Sequence, residues 1–334
     1  MAWLAFLLSA ALIVVAGTKL SRNGDQLAEL TGLGRLWVGV VLMAAVTSLP
    51  EVFTTMSAGW FNVPDLAAGD LFGAGLTNML TLGLIDLLHR QKRVWQQAAL
   101  EHTLTSALAM LLTGLAAFLI LSRIEVTYFG VGLGTVGVML LYVVGMRLVF
   151  RQEDMRRRLY TQDTVMRECT DGCDGGSRHL ELRRSIRGFS VSALALLVAA
   201  PILAWSADRI AQETGMTASF VGTSLVAITT SLPELVVSIT AVRLGAFDLA
   251  VGNLFGSNAF NMATLFFADI AYRGGGLLSN ISSSHVLTAL WSILMMNIGL
   301  MGIIYRAEKR FILIEPDSFL MIVTYVIGLW VLSR

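Results

Sequence analysis

Charged residues are scarce in this sequence: Asp, Glu, Lys and Arg make up 14% of 334 residues and leave a net charge of +1. The net charge says nothing about nucleic acid, but no basic stretch is interleaved with aromatics as such binding needs, so no nucleic-acid partner is expected. Signatures of catalysis are missing too. There is no nucleotide-binding loop, zinc-protease motif or nucleophile elbow, and the spacing of the Met and Trp residues demands no cofactor. The chain is therefore expected to be no enzyme and to hold no resident cofactor. Cysteine is limited to Cys169 and Cys173, in the segment CTDGCDGG, with His179 following. Three ligands at this spacing match no standard zinc site, and Asp163, Asp171 and Asp174 lack the full pattern of a calcium loop. Two reduced thiols and solvated charge on a loop account for the segment.

Apolar residues fill the space instead. They make up 55% of the chain, whose mean hydropathy is +0.71, and they gather in runs of about 20 residues, the length that crosses a bilayer. Ten spans are expected, near 2–21, 36–58, 65–88, 97–121, 127–149, 189–211, 219–242, 248–271, 284–305 and 312–333. Proline interrupts the second and seventh, and glycine the third and eighth. Ala2–Gly17 reads as a first span, not a cleavable signal, because positive charges follow it. The polar stretch Arg151–Arg187 is too short and too poor in apolar residues to form a core, and reads as a cytoplasmic linker. It separates a first half, 1–150, from a second, 188–334.

Lys and Arg set the expected orientation. With the N-terminus outside, the inner connections hold Lys19, Arg22, Arg35, Arg90, Lys92, Arg93, the ten arginines from Arg147 to Arg187, Arg243, Arg306, Lys309 and Arg310. Only Arg123, Arg209, Arg273 and Arg334, of 24 basic residues, stay outside. The bias places both termini outside. Five spans per half is an odd number, so the second half enters the membrane in the opposite sense.

A repeat supports the same division. Thr47-Ser48-Leu49-Pro50-Glu51 returns unchanged as Thr230-Ser231-Leu232-Pro233-Glu234, 183 residues later. Laying 38–90 on 221–273 without a gap gives 23 identities in 53 positions, including Asp65/Asp248, Gly69/Gly252, Gly73/Gly256, Asn78/Asn261 and Asp86/Asp269. Gly, Pro and acidic residues carry much of the match, which shared hydrophobicity does not explain. The expected fold is all-α: ten transmembrane helices in two inverted five-helix repeats, with helices two and seven broken.

The motifs suggest chemistry. A carboxylate inside a span is costly unless paired or hydrated, and marks a functional site. Pro50 and Pro233 remove backbone hydrogen bonds, so carbonyls of Ala44, Thr47, Ala227 and Thr230 are expected to be exposed nearby. Carbonyls, hydroxyls and carboxylates are the ligands that hard cations prefer. Asn78 and Asn261, each 27 residues after its glutamate, either supply neutral oxygens or bridge helices. Asp86 and Asp269, near span ends, are expected to serve as anchors or to pair with Arg90 and Arg273. Glu101 and His102 read as interfacial groups, with a place on a cytoplasmic ion path as the alternative.

With these segments the chain resembles the calcium/cation antiporter superfamily, and within it the sodium/calcium exchanger branch. The G-T-S-L-P-E and G-N-x-x-G-S-N-type segments carry the resemblance, which spans nearly everything but the central linker. It implies an inverted five-plus-five bundle with a cation site at mid-membrane, and alternating access helped by sliding of helices one and six. It also implies calcium ligands at Glu51, Glu234, Thr47 and Thr230, and sodium positions drawing on Ala44, Ser48, Ala227, Ser231 and Ser257. Three departures stand out: Ala74 where a serine is usual, Asn261 where an aspartate is common, and Asp70 and Gly75 in place of asparagines. Two carboxylates neutralise one calcium ion, whereas a third needs a proton or a further cation.

The resulting expectation is antiport of Ca2+ against Na+ in a bacterial or archaeal cell membrane. Membrane lipid is the surrounding, and a monomer suffices for transport. Proton- or other cation-coupled calcium antiport, and a membrane cation sensor that does not transport, are the alternatives.

Overall fold

The computed structural model describes residues 2–88, 100–124, 126–164, 175–213, 230–305 and 316–332. The first half runs through α1 (Ala2–Thr31), α2 (Arg35–Thr47), α3 (Leu49–Trp60), α4 (Pro64–Leu88), α5 (His102–Ser122) and α6 (Leu133–Thr164). The second runs through α7 (Gly175–Glu213), α8 (Leu232–Arg243), α9 (Phe247–Ala271), the short α10 (Leu277–Asn280), α11 (Ser284–Tyr305) and α12 (Pro316–Leu332). Strands β1 (Thr127–Tyr128) and β2 (Val131–Gly132) form a small antiparallel hairpin before α6.

Six of the described helices are long and apolar enough to cross a membrane: α1, α4, α5, α6, α7 and α11. The pair α2–α3, bent by 46° at Ser48, makes a seventh. The protein is thus an all-helical integral membrane protein. Helix α9 is less apolar than these helices for a physical reason. It is buried along most of its length, with Ile270 near its end the exposed exception, and it carries Asn253, Ser257, Asn258, Asn261 and Asp269 in that buried part. A helix that faces protein all round is not selected for contact with lipid.

Around α9 pack α2, α3, α4, α5, α6 and α8. The approach of α2 is close. A methyl group added at Gly256 would sit 2.5 Å from the Val40 carbonyl oxygen, and one at Gly39 would sit 2.7 Å from that of Leu249. Helices α1 and α7 lie along each other at the edge of the bundle. The outer side of α1 exposes Trp3, Leu4, Leu7 and Leu8, apolar surface that suits acyl chains.

The break between α2 and α3 follows from Pro50. Proline has no N–H for the carbonyl four residues earlier, and its ring clashes with that turn. Ser48 leaves helical geometry at φ −88°, ψ 7°. Ser231, its repeat mate, does so at φ −84°, ψ 6°. Both prolines then occupy the first turn of the next helix, where a missing donor costs nothing.

Several expectations change. The glycines of α4 and α9 do not interrupt these helices, which run unbroken for 25 residues each. A glycine costs only about 1 kcal/mol in a helix, which packing recovers, whereas a proline deletes the bond itself. The first span continues past residue 21 to Thr31 because its polar turns find partners. Arg35 pairs with Asp25 at 2.6 Å and with Glu29 at 2.8 Å, and Ser185 of α7 donates to Gln26. The fifth span starts at Leu133, after the hairpin, not at 127. Much of the stretch read as a linker is helical, since α6 extends to Thr164 and α7 starts at Gly175. Cys169 and Cys173 lie outside the described residues, as do Ala227 and Arg90.

Candidate cation site

The broken pair α2–α3 and helix α8 bring the repeated motifs together. Glu51 and Glu234 are each 1% exposed and close enough to interact electrostatically. The Ser48 hydroxyl donates to Glu234 Oε1 at 3.3 Å, a bond from the first repeat into the second. Thr47 crosses in the same way: its Oγ1 lies 3.2 Å from Asn253 Oδ1 and 3.4 Å from Ser257 Oγ, both on α9. Asn253 in turn donates through Nδ2 to Ser238 Oγ. Asn78 donates to Asn258 Oδ1 at 2.9 Å and so ties α4 to α9.

The bonds that are missing matter more. Glu51 Oε2, Glu234 Oε2, Asn78 Oδ1, Ser231 Oγ and both amide atoms of Asn261 are buried without a hydrogen-bond partner among the described residues. Each orphan costs about 1–3 kcal/mol, more for a charge. Orphans that are nearly all oxygens have the chemistry that a hard cation prefers. Asn78 therefore does both things its type allows, bridging through nitrogen and presenting a free oxygen.

Among the other expected ligands, Thr230 and Ser231 are buried beside the second motif, and Ala44 and Ser257 are fully buried. The Ala44 carbonyl is not left bare by the break, since it accepts the Ser48 N–H at 3.0 Å. Ala74 is buried as well and offers only a methyl group where its repeat mate Ser257 offers a hydroxyl.

Two features were not read from the sequence as part of a site. Asp70, on α4, has a buried Oδ2 without a partner, and α4 packs against both α3 and α8, the helices that carry the two glutamates. The signal was its alignment with Asn253, one acid against one amide. The second feature is a pair of His–Asp contacts. His102 Nε2 lies 3.2 Å from Asp248 Oδ1, and His285 Nε2 lies 3.5 Å from Asp65 Oδ1. The same offset of 183 relates the two histidines and the two aspartates, so the contact was duplicated with the fold. Each joins one repeat to the other. The pairs sit at opposite ends of the bundle: Asp248 starts α9, whereas the α9 C-terminus lies beside Asn62, through the Arg273 N–H, and so near Asp65.

Asp269 anchors its surroundings without pairing with Arg273, and the pairing of Asp86 with Arg90 lies outside the described residues. Asp269 accepts from the N–H groups of Gly132 and Leu277 and from Thr135 Oγ1, which pins the hairpin and the start of α10. Ser318 of α12 donates to Asp86 at 2.7 Å. Arg273 stacks on the Trp60 ring, 4.4 Å from its centroid.

Comparison with known proteins matches this arrangement. The family model described as "Sodium/calcium exchanger protein" covers residues 1–148 and 184–334. The inner membrane protein YrbG of Escherichia coli is 29% identical over 258 residues, 75% of this chain and 74% of that protein. The sodium/calcium exchanger MaX1 of Methanosarcina acetivorans is 30% identical over 138 residues, 41% of this chain and 39% of that one. Among solved structures, the sodium-calcium exchanger NCX_Mj soaked with 10 mM Na+ and zero Ca2+ superimposes with a TM-score of 0.71 at 18% identity, covering 99% of both chains. With two motif-bearing halves, both matched, the chain belongs to the sodium/calcium exchanger family of membrane proteins.

Proposed function

We propose that the protein is a secondary antiporter that moves Ca2+ across the membrane in exchange for Na+ by alternating access. The observation that carries this reading is the meeting of Glu51 and Glu234, repeat-related and buried, with an unpartnered oxygen on each. Two carboxylates balance one divalent cation, and the complex is then nearly neutral in a low-dielectric setting. Thr47 and Thr230 contribute carbonyls to that ion. Ala44, Ser48, Ala227, Ser231 and Ser257 flank it as sodium positions, and Asn78 and Asn261 add amide oxygens. The family and the sodium/calcium exchanger relatives support both ions as substrates.

The architecture in this reading is ten spans, in two inverted five-helix repeats covering 1–150 and 188–334. The termini lie outside and the 151–187 connection is cytoplasmic. Bacterial and archaeal relatives support a cell-membrane location. Cys169 and Cys173 test the orientation, because a membrane-impermeant thiol reagent should leave them unlabelled in intact cells and label them once the membrane is opened. Labelling of intact cells would reverse the topology.

One observation favours a second coupling ion. Ala74 is buried with no oxygen to offer, which weakens one sodium position and makes proton-coupled calcium antiport the other reading. Calcium uptake into proteoliposomes under separately imposed sodium and proton gradients decides between them. Uptake driven by sodium at equal pH supports the first reading, and uptake driven only by the pH gradient supports the second. Ca2+ binding without flux under either gradient would leave a sensor, not a transporter.

A further inference from the structure

Helices α1 and α7 lie side by side in opposite senses. Ser185 donates to Gln26, and a methyl group added at Gly188 would sit 2.6 Å from Asn23 Oδ1. Residues 23–26 of α1 therefore share a level with residues 185–188 of α7. Each helix also carries a continuous outer stripe. On α1 it runs through Leu8, Leu12, Val15, Lys19 and Arg22, all exposed. On α7 it runs through Val198, Leu194, Val191, Arg187 and Arg184, again all exposed, with Arg183 one turn from Arg187. Residues three and four apart are neighbours on a helix surface. Both stripes thus change from apolar to basic, and they do so at the same end of the pair.

The basic group stands where phospholipid phosphates stand. The apolar part of each stripe suits acyl chains, and the cations follow directly upon it. From Arg187 to Arg183 the rise is about 6 Å, which fits a headgroup layer about 5–8 Å thick on each side of the hydrocarbon core. Membrane orientation alone does not require this register. It is satisfied by Lys and Arg anywhere in a connection, whereas these five continue lipid-facing stripes. Protein acids do not neutralise them either. Among the described residues none of the five forms an ion pair, while Asp25 and Glu29 are both taken by Arg35. Glu181 on α7 offsets one charge of the five.

We infer that the paired stripes of α1 and α7 bind an anionic phospholipid, with its acyl chains on the apolar part and its phosphate among Lys19, Arg22, Arg183, Arg184 and Arg187. Long basic side chains suit the task, since their stems cover apolar surface while their heads stay at the interface. Helix α6 carries a lesser version, with Arg147 and Arg151 continuing a single stripe through Leu140 and Val144. The inference holds whichever ions are exchanged and whichever leaflet this end faces.

Delipidated full-length protein in detergent, titrated with phosphatidylglycerol or phosphatidylcholine and read by native mass spectrometry, tests the inference. Wild type should bind phosphatidylglycerol about ten-fold or more tightly than phosphatidylcholine. Each cation removed should cost about five-fold in phosphatidylglycerol affinity. Arg183→Gln, Arg184→Gln and Arg187→Gln together should thus cost about a hundred-fold, and Lys19→Gln with Arg22→Gln about twenty-fold. Arg147→Gln with Arg151→Gln removes the same charge as the α1 pair, and should cost less than about three-fold. All seven positions are exposed, and Gln is a good helix former, so the variants should unfold at wild-type temperatures. Equal losses for the α1 and α6 pairs overturn the inference, because general attraction between opposite charges would then suffice. Equal binding of the two lipids by wild type overturns it as well. So does displacement of phosphatidylglycerol by inorganic phosphate, which would mark a site for the free ion.

Discussion

Over the described residues, the two copies of the repeat keep the same turn at the proline and spend their side chains differently. Ser48 and Ser231 leave the helix within a few degrees of one another, and each is followed by proline and a buried glutamate. Around that shared frame, Asp70 stands against Asn253 and Ala74 against Ser257. The His–Asp contacts differ in the same manner: His102 is fully buried, whereas His285 is 23% exposed at a longer distance. Backbone geometry is held by proline and by close packing, which tolerate little change. Polarity near an ion can drift, provided total charge is matched by what binds. The lesson is that symmetry of fold does not require symmetry of charge.

The shared element of the comparison is the glutamate pair, and removing it should have the largest effect. Glu51→Gln and Glu234→Gln each delete half of the charge opposing a divalent ion. Calcium flux in proteoliposomes should fall by about a hundred-fold or more in both variants, the scale of breaking a buried charge pair. Near-normal flux in either variant would mean that the copies are not equivalent partners at the site.

The two His–Asp contacts should separate next. His102→Ala removes a buried imidazole from a 3.2 Å contact with Asp248, and should cost about 2–3 kcal/mol of stability. His285→Ala acts on a more exposed contact of 3.5 Å, and Asp65 keeps the Ser282 N–H at 2.6 Å. Its cost should stay below about 1 kcal/mol. Thermal unfolding of the two variants in detergent measures the difference, and equal losses would remove the distinction between the two ends.

The smallest effect concerns the missing hydroxyl. Ala74→Ser makes the first repeat match Ser257 and adds one neutral oxygen. Apparent sodium affinity, or the steepness of sodium dependence, should rise by about two- to five-fold, with calcium affinity nearly unchanged. Flux measured against sodium concentration would show it. Identical curves, or wild-type flux indifferent to sodium, would shift the coupling toward protons.

Much of this protein was legible in its letters because the strongest constraints are local. Pro50 and Pro233 break helices wherever they stand inside a span, since the missing N–H cannot be supplied by packing. An intramembrane glutamate marks a site by its cost alone, and the exact return of Thr-Ser-Leu-Pro-Glu declares the duplication. The glycines misled because their effect depends on what lies opposite. In α4 and α9 they leave the helix intact, and at Gly256 they admit the backbone of α2. Where Asp269 finds its donors, and that His102 meets Asp248 across 146 residues, depended on which helix ends share a corner of the bundle. The status of Asp70 was of the same kind. The sequence shows an acid at the place of an amide; that its Oδ2 is buried without a partner was decided by the packing of α4 against α3 and α8, which spacing along the chain does not reveal.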